Sequence, residues 1–520
     1  MTSTVVTDHA AIKRAPNRAT ITMRTITRLV FSRSFAIALL IACQPVDAGT
    51  PMRRLGTISQ TPAASQRPNI IFILSDDENV ALHAYMPKTK ALLHDRGTTF
   101  DNYFVTYALC CPSRATTLRG QYPHNTRVEG NAPPVGGYQK FRALGHDSST
   151  VATWLQAAGY HTAMFGKYMN GYQPANGAPA GWSEWYGVGN GYPSYDYTMN
   201  ENGTFVHYGH RPEDFLVDVI AHKAADVIRR GAKDKTPVFL YIAPFTPHPP
   251  ATAAPRHETL FADAKLPHPA SFDEADVSDK PTPLKNRPHL APRMIARMED
   301  LYRRRLRSLQ SVDDLVDSVV TALRSTGGLE NSYIVYTSDN GFHMGEHRLA
   351  QGKNTAYETD IRVPFVVRGP GVPAGRHETA MVLNNDLAPT FADIAGARVP
   401  AFVDGRSFLP LLSANRPAWT RTAFMIERRG GRDAQEELGD GGDMRNPNSF
   451  NAIRTTQYTY VEYGNGTLEL YDLRADPDQL ANLATVPGNS EIVRRLSMQL
   501  AALAKCAATT CRAAEDATPR

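Results

Sequence analysis

The chain has 520 residues, of which 42% are hydrophobic and 21% charged, proportions ordinary for a soluble globular protein. That length exceeds one simple core, so two domains, or one large domain with an appendage, are expected. The formal charge is +5, but residues 1–43 hold six of the cations and one acid; the remainder carries 50 basic and 50 acidic residues, which gives no case for nucleic-acid binding.

Residues 1–43 read as an export leader. Arg24, Arg28 and Arg33 precede an apolar run at 35–42 that is too short to span a bilayer as a helix. Leu40-Ile41-Ala42-Cys43 resembles a bacterial lipobox, with Cys43 as the lipidated residue; cleavage after Val46-Asp47-Ala48 is the competing reading. Either one sends the protein to the periplasm, the outer membrane or the outside, and any membrane attachment is through that lipid alone. Residues 44–66, rich in Pro, Ser, Thr and Gly, are a linker.

Residues 69–74 form an unbroken apolar run, the pattern of a buried parallel strand, and end in Asp76-Asp77. A helix is expected around 87–96. Pro112 suits the first position of a helix, which puts Cys110 at its mouth, beside unpaired N–H groups and the guanidinium of Arg114. Residues 149–158 have helical periodicity. A strand at 161–165 runs into Gly166-Lys167, and a helix at 212–230 leads to a strand at 238–242 and on to His248. Residues 251–290 form a long irregular insertion, suited to a substrate wall. A basic helix at 294–325 precedes a strand at 333–336 and then Asp339-Asn340; an apolar run at 363–368 and a helix at 387–395 follow.

After about residue 412 short runs at 422–427, 452–454, 458–463 and 468–473 alternate with turns, including a Gly-rich stretch at 430–442, and 492–505 reads as a closing helix. The fold expected is therefore α/β. Residues 67–412 make a large, mostly parallel sheet flanked by helices; residues 413–520 make a small antiparallel sheet plus helix. Asp76/Asp77, Lys167, His248 and Asp339/Asn340 each follow an apolar strand, and open α/β sheets gather ligands at the carboxyl ends of their strands. Asp76, Asp77, Asp339 and Asn340 offer only oxygen donors, which suit calcium or magnesium. Of the five cysteines, Cys506 and Cys511 are spaced to close a small disulfide loop, and no nearby Cys or His pair completes a zinc site.

Cys110-Cys111-Pro112-Ser113-Arg114, with Gly120 six residues beyond the arginine, resembles the signature of the sulfatases. The resemblance extends over about residues 67–511 and implies an alkaline-phosphatase-like fold, closest to the N-acetylglucosamine-6-sulfatase and heparan-type branch. It implies that a maturing enzyme oxidises Cys110 to formylglycine (3-oxoalanine), an aldehyde. Hydrated, this residue attacks sulfur through one hydroxyl and expels sulfate with the help of the other. It also implies calcium, with magnesium second, held by Asp76, Asp77, Asp339, Asn340 and the modified Cys110. Arg114, Lys167, His248 and Lys353 take the catalytic places, the last three also binding substrate. Many family members carry Gly-Lys-x-His, whereas this chain has Gly166-Lys167-Tyr168-Met169-Asn170, so Asn170 or His124 is expected to replace the histidine. His343 and His347 are expected to line the pocket. The substrate implied is a sulfated sugar, such as an N-acetylglucosamine 6-sulfate unit, or an aryl sulfate. The rivals are a phosphomonoester or phosphonate hydrolase of the same superfamily, and a non-catalytic glycan-binding protein on this scaffold.

Overall fold

A strand that is apolar on both sides is stable only when both of its faces are covered. Five such strands lie side by side in parallel: Ser332–Ser338, Asn69–Ser75, Val238–Ala243, His161–Gly166 and Glu184–Val188. The computed structural model describes residues 67–189, 191–282, 284–416, 418–429 and 449–517. The leader with Cys43, the linker and the Gly-rich stretch 430–442 lie outside the described residues. Alternation along the central strand divides the core. Ile70, Phe72 and Leu74 pack with the helices Cys110–Arg119, Val151–Ala157 and Leu387–Ala395; Ile71 and Ile73 pack with Leu216–Asp234 and Pro292–Ser325 on the other face.

The sheet reaches ten strands through additions on both sides, all but one joined by antiparallel pairing. Phe365–Arg368 pairs antiparallel with Ser332–Ser338, so the run at 363–368 is a reversed strand on the flank of the parallel set. On the far side Tyr197–Glu201 and Thr204–Tyr208 form a hairpin, which the sequence reading passed over. Its two-residue loop is Asn202-Gly203, with φ of 55° and 96°, an Asn-Gly turn whose twist matches the strands. The four-stranded antiparallel sheet lies where expected, with strands Ala423–Arg428, Phe450–Thr455, Tyr458–Tyr463 and Leu468–Asp472 in that order. Phe424, Ile453, Leu470 and the closing helix Ser490–Leu503 join its interior to the first face of the large sheet. Cys506 and Cys511 are disulfide-bonded.

One local expectation is corrected. The helix of the cysteine motif begins at Cys110, capped by Leu109, so Pro112 is its third residue and not its first. Cys110 then lies inside the first turn, where N–H groups still lack intrahelical acceptors. The insertion 251–290 packs on the chain that follows Asn340: Asp273 N donates to Gly345 O at 2.9 Å and His347 N to Ser271 O at 2.7 Å.

The strand register puts Ser75 opposite Ser338 and Gly166 opposite Ala243. A Cβ at Gly166, where φ is 88°, would lie 2.3 Å from the carbonyl oxygen of Ala243. Gly166→Ala should therefore push the end of its strand away from its neighbour and cost about 2–4 kcal/mol, read as a lowered unfolding midpoint. An unchanged midpoint would contradict this packing.

Candidate active site

The carboxyl ends of four adjacent strands deliver the polar groups. Asp76 and Asp77 follow Asn69–Ser75, Asp339 and Asn340 follow Ser332–Ser338, Lys167 follows His161–Gly166, and His248 comes five residues after Val238–Ala243. Cys110 and Arg114 enter on their helix, and Lys353 comes just after the short strand Gln351–Gly352. All of these side chains are buried.

Three carboxylates meet three fixed cations. Lys167 Nζ lies 2.6 Å from Asp76 Oδ2, and Arg114 Nε 2.8 Å from Asp339 Oδ2, with Arg114 Nη2 3.6 Å from Asp76. Lys353 Nζ bridges Asp77 Oδ1, at 2.6 Å, and Cys110 Sγ, at 2.8 Å. The thiol also sits 3.6 Å from Asp76 Oδ1. Burial alone would raise the Asp76 carboxyl pKa, but Lys167 and Arg114 outweigh it and hold it below the usual carboxylate range. Burial likewise opposes Lys353 at Asp77, and Lys353 prevails. Both acids are therefore anionic at neutral pH.

The backbone is fixed as firmly. Asp77 has φ of 65°; its N–H donates to Asp339 Oδ1 at 3.1 Å and its carbonyl accepts from Arg305. Ser113 Oγ donates to the Asp339 carbonyl, tying the cysteine helix to the end of its strand. The sequence reading missed Arg305. It is buried on the helix Pro292–Ser325, its guanidinium 4.3 Å from the Phe342 ring centre, and burial pulls its pKa down to about 10. Helical phase could have revealed it, because Leu301, Arg305 and Leu309 share one stripe.

Within this cluster Asp77 Oδ2, Asn340 Oδ1 and His248 Nε2 are buried with no hydrogen-bond donor among the described residues. Asn340 turns its Nδ2 to Asp77 Oδ1 at 2.6 Å, which leaves its oxygen as an acceptor. His248 uses Nδ1 to donate to the Pro249 carbonyl at 2.6 Å, so Nε2 is the open nitrogen, 3.4 Å from Asp77 Oδ2. Burial lowers the His248 pKa, favouring the neutral ring. One ligand atom each from Asp76, Asp77, Cys110 and His248 lies within 4.8 Å of the others. Buried acceptors facing one another without donors fit a cation, and the oxygen donors fit a hard one.

Asn170 and His124 separate. Asn170 Nδ2 donates to Tyr192 OH at 3.1 Å. The Tyr192 ring stacks on His248 at 3.7 Å, and Lys167 Nζ lies 4.7 Å from its centre, so Asn170 reaches the cluster through Tyr192. No periodicity marks Tyr192, a loop residue, and sequence reasoning passed it by. His124 goes elsewhere: its Nδ1 is 2.6 Å from Glu427 and its Nε2 3.1 Å from the Cys506 carbonyl, so both ring nitrogens are engaged at the C-terminal loop. His343 and His347 are held by Asp360, at 3.0 Å, and by Glu274, at 2.7 Å.

The family model described as Sulfatase matches residues 68–397, and the model described as N-sulphoglucosamine sulphohydrolase, C-terminal, matches 345–506. An arylsulfatase from Volvox carteri is 35% identical over 88% of this chain and 78% of its own. A human N-acetylglucosamine-6-sulfatase is 35% identical over 86% and 87%. An extracellular sulfatase SULF-1 homolog of Drosophila melanogaster is 39% identical over 73% of this chain, which spans 34% of that protein. A structure solved in complex with its substrate D-glucosamine-2-N,6-O-disulfate superposes with a TM-score of 0.69 at 25% identity, covering 87% of this chain and 99% of that one.

If the unpaired acceptors hold a cation, calcium added to chelator-stripped protein should raise the unfolding midpoint by a few degrees, and Asp77→Asn should abolish the rise. An identical midpoint with and without excess calcium would contradict the cation.

Proposed function

The chain belongs to the sulfatase family, which hydrolyses sulfate esters, and on that premise we propose that it removes sulfate from sulfated sugars such as N-acetylglucosamine 6-sulfate units, using a formylglycine made from Cys110. The observation that carries the reading is the meeting of three carboxylates and three cations around the thiol of Cys110. The sugar assignment draws on the human relative and on the Asn170 motif.

Asp76, Asp77, Asp339 and Asn340 are the residues to hold calcium. A calcium ion held by them would add two positive charges to a balanced cluster and would supply Lewis-acid polarisation of sulfate oxygens. The carboxylates are locked by ion pairs before substrate enters, so little reorganisation remains for the reaction step. Arg114 is clamped between Asp339 and Asp76 and keeps its charge beside residue 110. Lys353 contacts both Asp77 and Cys110, which suits it to steady charge on the nucleophile and on the leaving oxygen. Lys167, paired with Asp76 at 2.6 Å, is the third cation available to a sulfate oxygen. His248, its Nδ1 committed to Pro249, presents Nε2 to hold or pass a proton at the ester oxygen. Residues 67–412 form the catalytic domain of this reading, and 413–520 its C-terminal subdomain. The leader and the extracellular relative support export, and conversion of Cys110 requires a maturing enzyme.

The test combines mass and turnover. The active enzyme's peptide bearing residue 110 should show the mass loss of replacing CH2SH by CHO. Cys110→Ala should lower sulfate release from N-acetylglucosamine 6-sulfate by at least about a thousandfold. An unmodified thiol in fully active enzyme, or an active alanine variant, would reject the mechanism.

A further inference from the structure

The backbone of His248 is held in tight turns: its N–H donates to Phe245 O at 3.0 Å, and its carbonyl accepts from Ala251 N at 3.0 Å. Its Nδ1 donates to the Pro249 carbonyl at 2.6 Å, while Nε2 is buried without a hydrogen-bond partner among the described residues. One hydrogen bond pins a point on an imidazole and still lets the ring tilt. The tilt matters, because a proton donor about 10–20° off its line loses much of its effect. A flat neighbour opposes it. The Tyr192 ring lies on the His248 ring with centres 3.7 Å apart and planes 3° from parallel.

Tyr192 is itself held from several sides. It lies half-buried in the loop after Glu184–Val188, with φ of 53° in the left-handed region, where an aromatic side chain is uncommon. Such a conformation costs on the order of 1–3 kcal/mol and persists where the surroundings impose it, most often at functional sites. Those surroundings are present. Asn170 Nδ2 donates to the Tyr192 hydroxyl at 3.1 Å, and Phe245 stands at 84° to its ring with centres 5.7 Å apart. Two residues on, Ser194 O accepts from Leu216 N at 3.0 Å, which ties the loop to the helix Leu216–Asp234. Lys167 Nζ also sits 4.7 Å from the Tyr192 ring centre, but its pair with Asp76 at 2.6 Å holds it independently. His248 is the catalytic group whose ring depends on the plate.

We infer that Tyr192 is a positioning residue for proton transfer to the leaving group: by stacking, it fixes the plane of His248 so that Nε2 points at the ester oxygen. The inference rests on the sulfatase reading above. In the step concerned the S–O bond to the sugar breaks, its electron pair stays on the sugar oxygen, and the proton carried on Nε2 moves to that oxygen. How much this helps depends on the leaving group. A sugar alkoxide is a strong base and leaves as it is protonated, whereas a nitrophenolate leaves without a proton.

The experiment measures kcat and KM of the matured enzyme on N-acetylglucosamine 6-sulfate and on 4-nitrophenyl sulfate, for wild type, Tyr192→Leu, Tyr192→Met and Tyr192→Phe. The leucine and methionine variants both remove the flat face and check one another. Each should lose about 10- to 100-fold more kcat on the sugar ester than on the nitrophenyl ester, with little change in KM. Tyr192→Phe keeps the ring and should recover all but about threefold of that loss. On the sugar ester, Tyr192→Leu combined with His248→Ala should be no slower than His248→Ala alone, because the plate then has nothing to aim. Equal losses on both esters, no loss on either, a loss confined to KM, or a double variant slower by the full factor would overturn the role. Wild type active on the nitrophenyl ester alone would reject the sugar reading and this role together. Wild type inert on both esters after verified conversion of Cys110 would instead defeat the sulfatase reading on which the role rests.

Discussion

Two adjacent aspartates, both fully buried, cannot stay ionised together without cations at contact distance. The structure meets that requirement with groups remote in sequence. Lys167 reaches Asp76 across 91 residues, Arg114 reaches Asp339 across 225, and Lys353 reaches Asp77 across 276. Only the folded sheet assembles these pairs, so the site and the fold depend on one another. Removing one partner would leave its opposite charge buried and alone, which is why the cluster acts as a unit.

The parallel sheet supplies the geometry. Because neighbouring strands run the same way and stay in register, their polar successors emerge at one edge and converge. The helices on both faces keep water from the strands, and the insertion 251–290 walls the segment after Asn340. Asp77, with its positive φ, is held at both its N–H and its carbonyl, so its carboxylate is aimed before any ligand arrives. Beside this edge Tyr192 adds an aromatic plate joining Asn170, Lys167 and His248.

Much of this was legible in the sequence. Strands Asn69–Ser75, Val238–Ala243 and Ser332–Ser338 announce themselves by unbroken apolar runs, and the polar residues that end them are the ones that meet. Helices Pro292–Ser325 and Leu387–Ala395 follow their periodicity. The misses have physical causes. Helix ends depend on remote partners: the Cys111 N–H is taken by Asn131, and the cysteine helix starts at Cys110 and not at Pro112. Strand direction is set by partners: the run at 363–368 looks like any buried strand and is reversed by its connection. Side-chain contacts across loops leave no periodic trace, so Tyr192 stayed hidden and His124 was placed beside sulfate when Glu427 holds it elsewhere. Arg305 was one arginine among several on a basic helix, distinguished only by its phase.

The account turns on a hard cation at the acidic edge of the sheet, so the most direct measurement is anomalous diffraction from crystals of the matured enzyme grown in calcium. It predicts one peak in bonding contact with Asp77 Oδ2 and Asn340 Oδ1, beside residue 110. Density there that refines as water alone at saturating calcium, or an ion found only away from these two oxygens, would contradict it.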